Sequence, residues 1–472
     1  MFNPNYEIKN GEKFTFGTNV TSAAHPCLDN EPIKSLWNGF CCQSGEIEIS
    51  PCDELIFSVG TAERVELCGN QYAVNVEETG IFIIGDSEKG LINGFMTLLH
   101  QIKAKKFTEN DAVFEIDCGV FREKPNFKNQ MVHFCIFPET ELWELERFIR
   151  FCAALKYSHL VIEFWGMLRY DCLRELGWSF AFSKEQIRPL IKTANELGIE
   201  VIPMFNHWGH ASASRVIHGK HVVLDQNPRL QPLFSEDGWN WNIENPETLS
   251  LLRKIRGELI DLCGEGKYFH LGCDEAYNFE ITTENYTVLT DYLNNISREL
   301  DSVGRRPIVW GDMLIARRDD FNKNNRYTVS CESEELERRI FSALDRNIII
   351  ADWQYNVKES PVETALIFKN AGFDTILCPW DFTAGCDSVS PCADTAIKYG
   401  LFGLMHTTWN TLSVGMRDVS KAAFKAWSAD SMTLPHSFFA TNTAKIMRKV
   451  YPVNGDYTKA GWAKKQIAEN RR

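Results

Sequence analysis

A (β/α)8 TIM barrel preceded by a small α/β domain is the fold this sequence predicts, and three observations predict it. From Met131 onward, apolar strand-like runs alternate eight times with amphipathic stretches, the pattern of a parallel sheet with crossover helices. Earlier residues break that rhythm and end at a polar, proline-marked exit, Arg122 to Pro125. The 472 residues exceed one average domain and accommodate a barrel with a smaller partner. The expected plan is 1–125 for the small domain, 126–451 for the barrel and 452–472 for a polar tail.

In the first part, Tyr72 to Val76 alternates, Ile81 to Ile84 is a buried-strand run, and Gly90 to Lys103 has helical spacing through Leu91, Phe95, Leu98, Leu99 and Ile102. Ala112 to Ile116 is a further strand, and Phe121 to Phe127 is the expected linker. The barrel strands are expected at Met131 to Ile136, His159 to Phe164, Glu200 to Phe205, Lys267 to Gly272, Pro307 to Gly311, Asn347 to Trp353, Asp374 to Trp380 and Gly403 to Trp409. Helices are expected over Glu141 to Leu155, Lys184 to Leu197 and Thr248 to Leu262. An open doubly wound sheet has the same period and is the alternative. The tail after Pro452 is polar and reads as a surface helix or frayed end.

Composition narrows the function. Hydrophobic content of 44% with 24% charged residues describes an ordinary globular protein. A net charge of −13 with no basic stripe argues against nucleic-acid or anionic-membrane partners. No run is long and apolar enough to span a bilayer, and Met1 to Asn10 lacks the apolar core of a secretory signal. Fifteen cysteines without an even framework, including the neighbours Cys41 and Cys42, suit a reducing compartment. A cytoplasmic location is the expectation, and a homodimer is compatible with a barrel of this size. No cysteine spacing reads as a zinc site, and no cofactor is implied.

The strand ends are chemically unusual, and the C-terminal rim of a parallel barrel is where chemistry is placed. Tyr268 to Gly272 is an apolar run that ends in Cys273 and two adjacent carboxylates, Asp274 and Glu275. Strand two ends in Glu163-Phe164-Trp165, and strand three in Asn206-His207-Trp208-Gly209-His210. The later strands end at Trp310-Gly311-Asp312, Asp352-Trp353-Gln354-Tyr355, Trp380-Asp381 and His406 to Asn410 with Trp409. Singly, each tryptophan reads as a core residue. Together at one rim they describe an aromatic cup with carboxylates at its base. Such a cup suits glycoside hydrolysis, in which an acid protonates the leaving oxygen and apolar walls raise a carboxyl pKa. Adjacent side chains usually diverge, however, so Asp274 and Glu275 do not read as an acid and nucleophile flanking one bond.

His270-Leu-Gly-Cys-Asp-Glu275 resembles the His-x-Gly-Gly-Asp-Glu motif of family 20 glycoside hydrolases, the β-N-acetylhexosaminidases. Phe205-Asn-His-Trp-Gly-His210-Ala-Ser-Ala213 resembles that family's Asp-x-Pro-Gly-His-x-x-Ala stretch, and Tyr72 to Ile102 its small leading domain. The intracellular hexosaminidase D-like branch is the nearest resemblance, and it covers nearly the whole chain. The resemblance implies a retaining, exo-acting enzyme that removes terminal β-linked N-acetylglucosamine or N-acetylgalactosamine. Its nucleophile would be the substrate's own acetamide oxygen, which forms an oxazolinium intermediate. Glu275 would be the general acid and base, and Asp274 would hold the acetamide N–H. His210 would hydrogen-bond Glu275 with Glu163 behind it as a relay. Trp310, Trp353, Trp380 and Trp409 would enclose the acetamide and sugar face beside Asn206. Tyr355, equally readable as a packed loop residue, is the candidate donor to the acetamide oxygen.

The sequence departs from the family pattern in three places. Cys273 stands where glycine is usual, either as inert packing or as a thiol-sensitive position. Asn206 and Trp208 replace Asp and Pro, and the first strand lacks the arginine that reads sugar hydroxyls in many members, which leaves the gluco or galacto preference open. Two other classes remain: a barrel metallohydrolase using His207, His210 and Asp274, and a non-catalytic sugar-binding barrel. The loop from His207 to Asn245, with Trp239 and Trp241, either closes over the substrate or meets a partner.

Overall fold

The computed structural model describes residues 6–17, 20–41, 47–51, 55–107, 112–212, 223–277, 279–318, 330–355, 357–380, 387–409, 412–428 and 434–450. The expected tail, Cys42, Asp381, Asn410 and positions 213–222 of the long loop lie outside these residues.

The leading part is an eight-stranded, mostly antiparallel sheet. Its strands are β1 (Tyr6–Phe16), β2 (Val20–Ala24), β3 (Ile47–Pro51), β4 (Ile56–Gly60), β5 (Tyr72–Glu77), β6 (Gly80–Gly85), β7 (Lys103–Phe107) and β8 (Ala112–Glu123). They lie in the order β1-β8-β5-β6-β4-β2-β3, with β7 also paired to β8. The helices α1 (Glu31–Cys41) and α2 (Glu88–Gln101) complete it. The expected strands at Tyr72, Ile81 and Ala112 and the expected helix are present. The strands β1 to β4 were not legible: β2 alternates buried and exposed residues and contains Thr21 and Ser22, so it carries no apolar run. The expected linker shortens, because β8 stays paired with β5 as far as Glu123.

Eight parallel strands then close a barrel: β9 (Asn129–Cys135), β10 (His159–Glu163), β11 (Glu200–Met204), β12 (Tyr268–His270), β13 (Arg306–Trp310), β14 (Ile349–Tyr355), β15 (Thr375–Trp380) and β16 (Gly403–His406). Closure comes from β16 pairing back on β9, Gly403 opposite Asn129 through His406 opposite Val132, so the open-sheet alternative is excluded. The helices that follow are α3 (Leu142–Ala154), α4 (Lys184–Glu196), α5 (Val223–Gln226), α6 (Pro246–Cys263), α7 (Tyr286–Asp301), α8 (Glu334–Ala343), α9 (Glu363–Asn370), α10 (Val389–Tyr399), α11 (Leu412–Trp427) and α12 (His436–Val450). These strands are fully covered on both faces, which is why they read as continuous apolar runs. None of the described helices is long and apolar enough to cross a membrane.

One hydrophobic core runs through both parts. Where they meet, Lys156 extends a buried ammonium to Glu123 at 2.7 Å and to the Tyr72 hydroxyl at 2.9 Å. The indole of Trp427 lies 3.9 Å from the same ammonium. Burial lowers the Lys156 pKa, and the Glu123 charge opposes that shift.

Candidate active site

Strand β12 is shorter than expected because the extended backbone ends at Gly272, although Leu271 and Gly272 still bond to β13. The ring of His270 accepts the Gly272 N–H at 3.0 Å, and Gly272 adopts φ +66°. Three non-glycine residues nearby also have left-handed backbones: Cys273 (φ +71°), Glu275 (φ +50°) and, on the facing loop, His210 (φ +57°). Such conformations cost on the order of 1–3 kcal/mol each and persist only where the surroundings enforce them. Here the surroundings are tight. A Cβ on Gly209 would stand 1.9 Å from the Asp274 carbonyl oxygen, and one on Gly272 would stand 2.7 Å from Asn206 Nδ2.

This turn brings the expected acids and their neighbours together. His210 Nε2 lies 3.2 Å from Asp274 Oδ2 and 3.2 Å from Glu275 Oε2. Asn206, fully buried, donates to Asp274 Oδ1 at 3.2 Å. Asp274 is buried, whereas the Glu275 side chain retains 28% of its exposure and faces outward. The long loop braces the pair. Trp239 donates its indole N–H to the Glu275 carbonyl at 2.6 Å and lies 4.4 Å from the His210 ring. Trp241 donates to the Asn206 carbonyl at 2.9 Å.

Beside the acids stands the aromatic cup. Trp310 and Trp353 are buried, and Trp380 and Trp409 are partly exposed. Tyr355 packs against Trp353 at 4.9 Å and meets Trp380 edge-on at 5.3 Å. Trp409 donates its indole N–H to the Tyr355 hydroxyl at 2.6 Å. This enclosure desolvates the phenol and pushes its pKa well above the ordinary value near 10, so it remains a protonated donor. Trp409 lies beyond the end of β16 rather than on the strand, and its ring closes the cup against Trp310 at 6.1 Å. Among the described residues, the buried indole N–H of Trp310 has no hydrogen-bond partner.

Glu163 requires a correction. Its carboxylate is held by His133 Nε2 at 3.2 Å and by the Cys135 thiol at 3.4 Å, deep in the barrel. The parallel register explains this, because β10 sets Glu163 directly opposite Cys135 on β9. The relay that places Glu163 behind His210 is therefore redrawn, with Asp274 and Glu275 flanking the imidazole.

Asp312 is the residue that sequence reasoning passed over. It is buried, accepts the Glu275 backbone N–H at 2.8 Å and accepts the Trp353 indole N–H at 3.1 Å. Burial raises its pKa well above the ordinary carboxyl range, and the neighbouring Asp274 charge raises it further. Its position after Trp310, at the end of a strand, was visible; its partners come from the turn after β12 and from β14 and were not.

Two groups of described residues offer metal-ligand atoms within 4.8 Å of one another: His210 with Asp274 and Glu275, and His133 with Cys135 and Glu163. His207 belongs to neither, so the three-residue metal set that included it is not assembled. Its Nδ1 is 2.6 Å from the Phe205 carbonyl oxygen, and burial holds its pKa well below the ordinary value. Cys273 is also buried, and that burial, reinforced by Asp274 and Asp312, raises its thiol pKa well above the usual value. Its thiol donates to the Leu271 carbonyl oxygen at 3.5 Å.

Residues 166–384 match the glycosyl hydrolase family 20 catalytic domain. A lacto-N-biosidase of Bifidobacterium bifidum is 22% identical over 284 residues, 56% of this chain and 24% of that protein. Hexosaminidase D of Bos taurus is 29% identical over 125 residues, 26% of this chain and 34% of that protein. The matches thus span a quarter to a third of these relatives' lengths. Among solved structures, the family 20 exo-β-N-acetylglucosaminidase of Vibrio harveyi superposes with a TM-score of 0.65 at 15% identity, covering 96% of this chain and 77% of that one. At that identity the superposition speaks for the shared fold. The family 20 match over residues 166–384 takes in His210, Asp274, Glu275, Asp312, Trp353 and Tyr355.

Proposed function

We propose that the protein is a retaining exo-β-N-acetylhexosaminidase that removes terminal, non-reducing β-linked N-acetylglucosamine or N-acetylgalactosamine by substrate-assisted catalysis. One observation carries this reading: Asp274 and Glu275 share the Nε2 of His210. Two carboxylates bridged by one ring nitrogen form a single acid cluster, which supports one acid at the glycosidic oxygen rather than a separate protein nucleophile. The substrate's acetamide is left to supply the attack.

Each residue then has a task. Glu275, the more exposed acid, gives its proton to the glycosidic oxygen as the acetamide oxygen bonds to C1 and the C1–O bond breaks. The oxazolinium carries the positive charge, and Asp274, oriented by Asn206, accepts the acetamide N–H and offsets that charge. Tyr355 donates its hydroxyl proton toward the acetamide oxygen. Water then adds to C1 and gives a proton back to Glu275, which restores the acetamide and the β configuration. The fifteen cysteines without an even framework support a cytoplasmic setting.

The test uses two variants and two leaving groups. Glu275→Gln should lower turnover of a poor leaving group about 10²–10⁴-fold and spare a nitrophenyl leaving group far more. Asp274→Asn should slow both, because it acts at the acetamide. Wild-type rates for either variant on both substrates would contradict the assignment.

A further inference from the structure

Inside the barrel, where β9 and β10 end, three side chains of different chemistry converge. His133 and Cys135 stand two residues apart on β9, so both project to one face, and the register sets Glu163 on β10 opposite Cys135. His133 Nε2 lies 3.2 Å from Glu163 Oε2, and the Cys135 thiol lies 3.4 Å from that same oxygen. The thiol is also 3.6 Å from His133 Nε2. All three residues are buried, none with more than 2% exposure. Phe137, Trp165 and Trp409 pack around Cys135, and the Trp409 ring lies 4.5 Å from that of His133. None of the three has a task in the sugar transfer proposed above.

With the ring N–H and the thiol both donating to the carboxylate, hydrogen bonds account for two sides of this triangle. The third side sets the two donors against each other, whereas a cation at the centre accounts for all three. In a tetrahedral site with Zn–S of about 2.3 Å and Zn–N and Zn–O of about 2.0–2.2 Å, adjacent ligand atoms stand about 3.3–3.7 Å apart, and the sides that include sulfur are the longer ones. The triangle here has that shape and nearly that size. A thiolate, a carboxylate and a neutral imidazole together carry two negative charges, which offset a buried divalent ion, and the sulfur favours zinc over magnesium or calcium. We propose that His133, Cys135 and Glu163 form a zinc site that ties β9 to β10. Binding releases the Cys135 thiol proton to solvent and leaves the fourth position to water. The ligands come from two strands, so no cysteine spacing along the chain discloses the site. The other group of ligand atoms, on His210, Asp274 and Glu275, contains no sulfur.

The test titrates the chelator-treated full chain with Zn²⁺ and, separately, with Co²⁺. Zinc should bind at one equivalent per chain and raise Tm. Co²⁺ should give a near-ultraviolet thiolate charge-transfer band, which reports sulfur bound to the metal. Cys135→Ser should abolish that band, and Cys135→Ser and Glu163→Gln should each weaken zinc binding by about 100-fold or more. Glu275→Gln, which alters the sulfur-free group, should keep the band and the zinc affinity of the wild type. A wild type that lacks either the Tm rise or the band would overturn the site. So would a band that survives Cys135→Ser, or a zinc affinity that falls in Glu275→Gln but not in Glu163→Gln.

Discussion

Asp312 shows how much of this site depends on one buried group. Its carboxylate joins the left-handed backbone of Glu275 to the Trp353 wall, so one side chain sets both the acid and the cup. Asp312→Asn replaces one acceptor with a donor and turns an amide toward either the Glu275 N–H or the Trp353 indole. A buried donor left unpaired costs about 1–3 kcal/mol, and the variant should lose activity together with stability in a urea titration. The pH dependence has a definite sign. The folded Asp312 pKa is raised from 3.8, so its contribution is full below that value and is lost as pH rises toward the folded pKa. Above pH 3.8 the wild-type Tm should therefore fall relative to that of Asp312→Asn. At this scale the sequence disclosed residue types and order but not partners across strands. Asp274, Glu275 and His210 were legible because they fall in short motifs. Glu163 was assigned to the wrong neighbour because the β9 and β10 register, not chain order, determines what it meets.

The turn after β12 owes its shape to close backbone approach. Gly209 passes so near the Asp274 carbonyl that no side chain fits, and the loop carrying His210 is thereby set against the acids. Gly209→Ala should destabilise the protein by about 1–3 kcal/mol through overpacking and should separate His210 from Asp274 and Glu275. Turnover should then fall even in the fraction that remains folded, a point checked by active-site titration. The barrel strands were readable because burial on both faces leaves uninterrupted apolar runs such as Ile348 to Ala351. The strands β2 and β4 were not readable, since burial on one face needs only alternate apolar residues. The end of β12 differs from the expected strand for another reason: Leu271 still pairs through its backbone with Ile308 and His207, but Gly272 adopts φ +66° and ends the extended run.

Across the whole molecule, the leading sheet and the barrel share one core and a buried ion pair, Lys156 with Glu123. Lys156→Met would strand the Glu123 carboxylate and should cost about 3–5 kcal/mol, whereas changing both residues to apolar ones should recover much of that loss. Denaturant midpoints of the two variants decide whether the sheet contributes to barrel stability through this contact. The barrel in turn places the acids at its C-terminal rim, joined to the aromatic cup through Asp312. The most direct test of this arrangement is nitrophenol release from the N-acetyl-β-glucosaminide, the N-acetyl-β-galactosaminide and the plain β-glucoside. Turnover confined to the two acetamido sugars is the predicted result, because the proposed mechanism has the acetamide attack C1. Equal turnover of the plain glucoside would reveal a protein nucleophile and contradict the roles given to Asp274 and Glu275.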